Sequence, residues 1–157
     1  MGIQIIEGNF APGKGSFAIV AARFNQAVVD GLVGGAIEGL QRHGVAEQNI
    51  VLVRVPGSFE IPVAAKKLIE TGKYSAVICL GAIIRGETDH YDHVAGGAAK
   101  GIAQLSMEHG VPVIFGVLTC DTLEQAVNRA GAKLGNKGFE AALAAIEMVD
   151  LLGKINR

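Results

Sequence analysis

The sequence predicts an α/β fold, a three-layer α/β/α sandwich built around a four-stranded parallel sheet. Runs of Val, Ile and Leu of strand length alternate along the chain with longer segments in which apolar residues recur at helical spacing. Such near-continuous apolar strands are typical of a parallel sheet that helices cover on both faces. No linker, repeat or low-complexity stretch divides the chain, so a single domain is expected over residues 1–157.

Four apolar segments account for the predicted sheet. They cover residues 17–24, 50–55, 76–84 and 111–119. Right-handed crossovers between them favour a flavodoxin-like sheet with the strand order 2-1-3-4.

Five segments of helical period follow these strands. The first is predicted to end at Gly44 and the second near Gly72. The other helices are expected over residues 91–109, 123–132 and about 137–152. The N-terminal sequence IQIIEG is also strand-like, but the glycine-rich GNFAPGKG separates it from the core. Such a strand would pair with a sheet edge elsewhere, for example on a neighbouring subunit.

Composition and charge exclude several classes of protein. The formal net charge is −1 and no Lys/Arg-rich run occurs, so nucleic-acid binding is not expected. No apolar stretch has membrane-spanning length and the first residues do not resemble a leader, so a cytoplasmic protein without membrane contact is expected. The cysteines fit neither a disulfide framework nor a CxxC motif. Cys79 lies in an apolar run, whereas Cys120 ends one, which leaves a nucleophilic role open.

The segments that leave the strand ends carry the polar residues of interest. Open α/β sheets bind ligands at the carboxyl ends of their strands, which are followed here by RFNQ, VPGSFEIP, IRGETDH and VLTCDT. Phe24 is either a core residue or a platform for stacking on a flat ring. Ser58 and Glu60 either contact a substrate or serve as a helix N-cap and a first-turn acid.

The stretch IRGETDHYDH has three interpretations. The backbone around Glu87 and Thr88 leads into a helix N-terminus, which is suited to binding an anion, and His90 in the first turn is suited to proton transfer. Alternatively, His90 and His93 belong to a metal site, or the stretch is a solvated helix start. The spacing fits no zinc motif, and the acid–base interpretation is favoured. Farther along, Arg129 is either an exposed structural arginine or a phosphate ligand.

The chain resembles the lumazine synthase family at these residues and beyond them. The similar segments are ARFN, VPGSFEIP, GAIIRGETDHYDHVAGGAAKGI, PVIFGVLT and EQAVNRAGAKLGNKG, in the family's order and over nearly the whole chain. The resemblance implies a transferase acting at the penultimate step of riboflavin biosynthesis. That enzyme condenses 5-amino-6-(D-ribitylamino)uracil with 3,4-dihydroxy-2-butanone 4-phosphate and needs neither a metal nor an organic cofactor.

The resemblance also implies a role for individual residues. His90 would transfer protons, Glu87, Thr88 and Arg129 would bind the phosphorylated ketone, and Asn25 and Lys137 would support the site. The residues expected to contact the pyrimidine are Phe24, Ser58, Phe59, Glu60, Ala82, Ile83, Ile84 and, from an adjoining subunit, Phe115.

The resemblance further implies a homo-oligomer. The family forms pentamers, and the compact AGAKLGNKG connection favours a capsid of sixty subunits, with riboflavin synthase as a potential associate. Glu87 and Cys120 depart from the commonest family pattern. A flavodoxin-like flavin-binding protein and a catalytically silent shell protein are the alternative functions.

Overall fold

A computed structural model describes residues 2–10 and 15–157. Its centre is a four-stranded sheet in the order β2-β1-β3-β4, and all three strand pairs are parallel. The predicted fold class and strand order are therefore confirmed. No helix in the described part of the chain is both long enough and apolar enough to cross a membrane.

The elements follow the predicted alternation. The strands are β1 (Phe17–Ala22), β2 (Ile50–Val55), β3 (Ala76–Ile84) and β4 (Val113–Cys120). The helices are α1 (Gln26–Arg42), α2 (Ile61–Glu70), α3 (His90–His109), α4 (Leu123–Arg129) and α5 (Lys137–Ile155). Short 3-10 helices cover Glu47–Asn49 and Ser58–Glu60.

Successive residues of β1 point to opposite faces of the sheet and enter two separate cores. Phe17 and Ile19 pack with apolar residues of α1, α4 and α5 on one face. Ala18 and Val20 pack with residues of α2 and α3 on the other face. Every residue of β1 is fully buried, which explains why its sequence shows no polar alternation.

Several predicted boundaries differ from the observed ones by two or three residues, and two of these differences have local causes. β1 ends at Ala22, two residues before the predicted end, because Asn25 adopts a left-handed conformation with φ of 62° and turns the chain into α1. α4 ends at Arg129 rather than at residue 132, because Ala130 forms an antiparallel bridge with Asn136 and Gly131 has φ of 116°.

The segment 2–10 forms no strand in the structure and lies against the last turns of α5. Lys154 Nζ donates to the carbonyl oxygen of Glu7 at 2.8 Å, and the Asn9 backbone N–H donates to Asp150 Oδ2 at 2.9 Å. The Lys154 ammonium hydrogen-bonds the Asp150 carboxylate and holds its pKa below its usual range. Pairing with a neighbouring subunit stays a prediction, and residues 11–14 of the glycine-rich stretch lie outside the described residues.

Candidate functional site

A first cavity of about 330 Å³ opens at the carboxyl ends of β1, β2 and β3. This is the end of a parallel sheet at which ligands are expected. The first cavity is lined by Phe24, Asn25, Pro56, Gly57, Ser58, Phe59, Glu60, Ala82, Ile83, Ile84, His90, Tyr91 and Val94. Nearly all residues predicted to contact the pyrimidine therefore lie together.

Phe24 is not a core residue, since 72% of it is exposed to solvent. The left-handed backbone of Asn25 follows it directly, and the Asn25 side chain is held by a 2.7 Å hydrogen bond from Nδ2 to the carbonyl oxygen of Ala82. Asparagine is one of the few residues that tolerate this conformation. Asn25 thus fixes the end of β1 against β3 while the Phe24 ring faces the cavity.

Ser58 is only 5% exposed and is the one buried polar residue in the described part of the chain. It does not act as the predicted N-cap, because α2 begins at Ile61 and neither this helix nor the preceding 3-10 helix has a side-chain capping hydrogen bond. Its hydroxyl lies against Gly81 of β3, where any Cβ atom would collide with it. Glu60 precedes α2 and is partly exposed at the cavity wall.

His90 is the first residue of α3 and lines the first cavity together with Tyr91 and Val94. Its backbone N–H donates to Thr88 Oγ1 at 3.3 Å. His93 lies outside this cavity, 3.5 Å from the Asp89 carboxylate, and both of these side chains are exposed. Within residues 2–10 and 15–157 no group of three or more His, Cys, Asp or Glu side chains could hold a metal ion.

Glu87 and Thr88 are exposed in the turn between β3 and α3 and do not line the first cavity. The structure therefore does not bring these two predicted phosphate ligands into contact with the first cavity wall. They precede His90 in the chain, with Thr88 accepting the hydrogen bond from its backbone N–H.

A second cavity of about 500 Å³ follows β4, the strand at the sheet edge. Phe115 on β4 is 46% exposed there. Arg129 donates from Nη1 to the carbonyl oxygen of Gln125 at 3.1 Å, and Lys137 Nζ lies 3.5 Å from Glu140 Oε2. The second cavity is lined by residues 114–120, Gln125, Arg129, Lys137, Glu140, Ala141 and Ala144. Its cations are an arginine and a lysine, which suit a phosphate group.

The cysteines give no support to nucleophilic chemistry. Burial raises the pKa of the Cys79 thiol to about 12. Burial also raises the pKa of Cys120, although the nearby Arg129 charge opposes this shift. The reactive form of cysteine is the thiolate, and a raised pKa disfavours it.

The two cavities have no lining residue in common within the described chain. The first is built at the ends of β1, β2 and β3, and the second lies along the outer edge of β4. Each cavity holds only part of the residue set that the sequence singled out. One chain thus presents two separate cavities of different chemistry, the first with an exposed aromatic ring and hydrogen-bonding side chains and the second with the charged side chains of Arg129, Lys137 and Glu140.

Sequence reasoning missed Tyr91, Val94 and Gln125 as lining residues. Val94 follows His90 by four positions, so helical periodicity places both on one face and could have identified it. The sequence TLEQ also signals the capping box that Thr122 and Gln125 form at the start of α4. Nothing in the sequence pairs Arg85 with Asp121, which lies 36 positions away.

Comparison with known families gives an independent result. The model of the family described as 6,7-dimethyl-8-ribityllumazine synthase matches residues 14–153. The match spans the whole sheet and all lining residues of both cavities.

Proposed function

The chain belongs to the 6,7-dimethyl-8-ribityllumazine synthase family, and from this premise we propose that it is a transferase of riboflavin biosynthesis. The proposed reaction joins 5-amino-6-(D-ribitylamino)uracil to 3,4-dihydroxy-2-butanone 4-phosphate and gives 6,7-dimethyl-8-ribityllumazine, phosphate and two molecules of water. The observation that carries this proposal is the pair of separate cavities, which we interpret as two half-sites, one for each substrate. One offers an exposed aromatic ring and the other offers two cations.

The first half-site is assigned to the pyrimidine. Phe24 stacks on its ring, which an aromatic side chain exposed at a cavity wall can do. Backbone groups of Ala82, Ile83 and Ile84 contact the ring edge, and Glu60 accepts hydrogen bonds from the ribityl hydroxyl groups. Ser58 and Phe59 complete this wall, and the absence of a side chain at Gly81 leaves room for the Ser58 hydroxyl.

The second half-site is assigned to the phosphorylated ketone and comes from a neighbouring chain. Arg129 neutralises the phosphate with Lys137 in support, and the backbone of Glu87 and Thr88 contacts it from the rim of the first half-site. Phe115 covers the pyrimidine from the neighbour's β4 edge. This arrangement requires an oligomer in which the first cavity of one chain faces the second cavity of the next, and a pentamer, assembling further to sixty subunits, is the form proposed.

The chemistry then needs proton transfer and positioning. The 5-amino group attacks the ketone carbonyl and one water leaves to give an imine. Loss of a proton from the carbon chain expels phosphate and forms an enol, which becomes a ketone. The ribitylamino nitrogen attacks this carbonyl and the second water leaves. His90 is the residue placed to move these protons, because imidazole exchanges protons readily near neutral pH. Holding two reactive substrates together supplies much of the remaining acceleration.

The test is to mix purified protein with both substrates and follow lumazine absorbance and fluorescence together with phosphate release. We expect one mole of phosphate to be released for each mole of lumazine formed. The protein should also be colourless as isolated, whereas a flavin carrier would be coloured by its bound flavin. A rate of lumazine formation no higher than that without protein would contradict the proposal and favour a catalytically silent shell protein.

A further inference from the structure

Arg85 lies between the two half-sites of the chain and lines neither cavity. It directly follows β3, and its backbone N–H donates to the carbonyl oxygen of Cys120 at 2.9 Å. This bond joins the carboxyl ends of β3 and β4. Since Cys120 lines the second cavity, the Arg85 backbone is bonded to the wall of that cavity, and its side chain extends toward the first cavity.

The Arg85 side chain connects two helix starts. Its Nε donates to Asp121 Oδ1 at 3.1 Å, directly before α4. Its Nη1 lies 3.8 Å from Asp92 Oδ1, and its guanidinium carbon lies 4.3 Å from the centre of the Tyr91 ring. Asp92 and Tyr91 both belong to the first turn of α3, and Tyr91 lines the first cavity. The hydrogen bond to Asp121 raises the pKa of Arg85 further, so this cation stays charged.

The two connected helix starts differ in how they are held. α4 has a complete capping box, in which Thr122 Oγ1 accepts from the Gln125 N–H and Gln125 Oε1 accepts from the Thr122 N–H. Gln125 Oε1 also accepts from the Asp121 N–H at 2.8 Å, so Asp121 is part of a fixed turn. The N-cap of α3 is Asp89, and its side chain makes no capping hydrogen bond. The start of α3 therefore lacks the N-cap hydrogen bond that fixes α4, and its local side-chain contact is the 3.3 Å bond from the His90 N–H to Thr88 Oγ1.

We propose that Arg85 is a positioning residue that holds the first turn of α3, and with it His90, against the capped start of α4. This inference rests on the proposed function for its effect on turnover, but its structural part does not. A planar guanidinium can serve both tasks at once, because it donates to a carboxylate in its plane and stacks on an aromatic ring with its face. Direct contact with substrate phosphate is not needed, since carboxylates of the same chain already engage this cation.

The kinetic test compares Arg85→Gln, Asp121→Asn and the double variant with the unmodified enzyme. We expect kcat to fall about 10- to 100-fold in Arg85→Gln, the range expected for a small misplacement of a catalytic group, with little change in either KM. Asp121→Asn should lower kcat in the same way but less. The kcat of the double variant should be no lower than that of Arg85→Gln, because both substitutions remove the same contact between Arg85 and Asp121. Arg85→Lys should recover only part of kcat, since lysine lacks the planar fork.

Arg42→Gln is the matched control, because Arg42 pairs with Glu38 at 2.8 Å on the exposed side of α1. It should leave kcat unchanged. A raised KM for the phosphorylated ketone with normal kcat in Arg85→Gln would overturn the proposal and make Arg85 a substrate ligand. Additive losses in the double variant would also overturn it.

Hydrogen exchange tests the structural part without turnover. In Arg85→Gln the backbone amides of the first turn of α3 should exchange faster, while those of the first turn of α4 stay as protected as before. Unchanged exchange at α3 would refute the positioning role even if the enzyme were inactive. An inactive unmodified protein with this exchange pattern would instead refute the proposed function alone.

Discussion

At the scale of single residues, side-chain hydrogen bonds fix the backbone around the first cavity and leave the Phe24 ring exposed. Asn25 uses its amide nitrogen to bind the Ala82 carbonyl, and Thr88 accepts a hydrogen bond from the backbone of His90. Phe24 remains 72% exposed beside them. The site is therefore preformed on one side and open on the side where a neighbouring chain is proposed to lie.

His90→Ala should lower turnover by roughly 10²- to 10⁴-fold, the usual contribution of one acid–base residue, while some activity persists through substrate positioning. Steady-state kinetics measure this. His93→Ala is the control, because His93 is exposed and lines neither cavity. Equal turnover in His90→Ala and the unmodified enzyme would contradict the proton-transfer role.

Arg129→Ala should raise the KM for the phosphorylated ketone far more than the KM for the pyrimidine. The loss is one charge-assisted contact, on the order of 1.5–3 kcal/mol. Separate titration of each substrate measures the two KM values. Lys133→Ala, at an exposed position outside both cavities, should change neither. Similar effects of Arg129→Ala on both substrates would count against phosphate binding.

Asn25→Asp and Asn25→Gly should separate backbone conformation from hydrogen bonding. Both replacements tolerate φ of 62°, but a carboxylate cannot donate to the Ala82 carbonyl and would lie against its oxygen. We expect Asp to weaken pyrimidine binding more than Gly does, as measured by the KM for the pyrimidine. The reverse order would mean that the hydrogen bond to Ala82 does not shape the site.

At the scale of elements, hydrophobic patterning was sufficient to predict the sheet, because all four strands have apolar residues on both faces. The ends of elements were less predictable. β1 stops early at the left-handed Asn25, and α4 stops early at the bridge between Ala130 and Asn136, which is a tertiary contact. The contacts of residues 2–10 with α5 were not predicted for the same reason, since their partners lie at the far end of the chain.

The site was partly predictable at this scale as well. A parallel sheet brings the carboxyl ends of its strands to one edge, so Phe24, Ser58 and His90 could be expected near one another. Their roles, and those of Arg129 and Lys137, stay predictions. Contacts such as those of Arg85 with Asp121 and Tyr91 depend on side-chain geometry across elements and leave no periodic signal in the sequence.

Two glycines of α5 should respond oppositely to alanine. A Cβ atom at Gly138 would collide with the Leu32 carbonyl of α1, whereas one at Gly153 meets nothing within 4 Å. Gly138→Ala should therefore destabilise the fold by about 1–3 kcal/mol through overpacking. Gly153→Ala should stabilise it by about 0.5–1 kcal/mol, because alanine favours the helix. Denaturant unfolding measures both, and equal effects would contradict the close contact of α1 with α5.

At the scale of the whole molecule, the fold separates the two cavities that we propose as half-sites. The sheet order places β4 at an edge, so the second cavity lies along a strand with no partner on its outer side in the described chain. The first cavity opens at the other strands' ends, and its described lining contains neither lysine nor arginine, so under the proposed function the cation that neutralises the phosphate would come from a neighbouring chain. Each chain would therefore contribute to two different active sites in a closed ring.

Co-assembly of His90→Ala chains with Arg129→Ala chains tests this division most directly. In an equal mixture, about a quarter of composite sites would combine an intact His90 from one chain with an intact Arg129 from its neighbour. At a ketone concentration well below the KM of Arg129→Ala, where both parents are weakly active, turnover of verified mixed oligomers should then rise toward about a quarter of the unmodified activity, above the average of the two parents. If mixed oligomers show only the average activity of the parents, the whole site lies within one chain and the account of two half-sites is wrong.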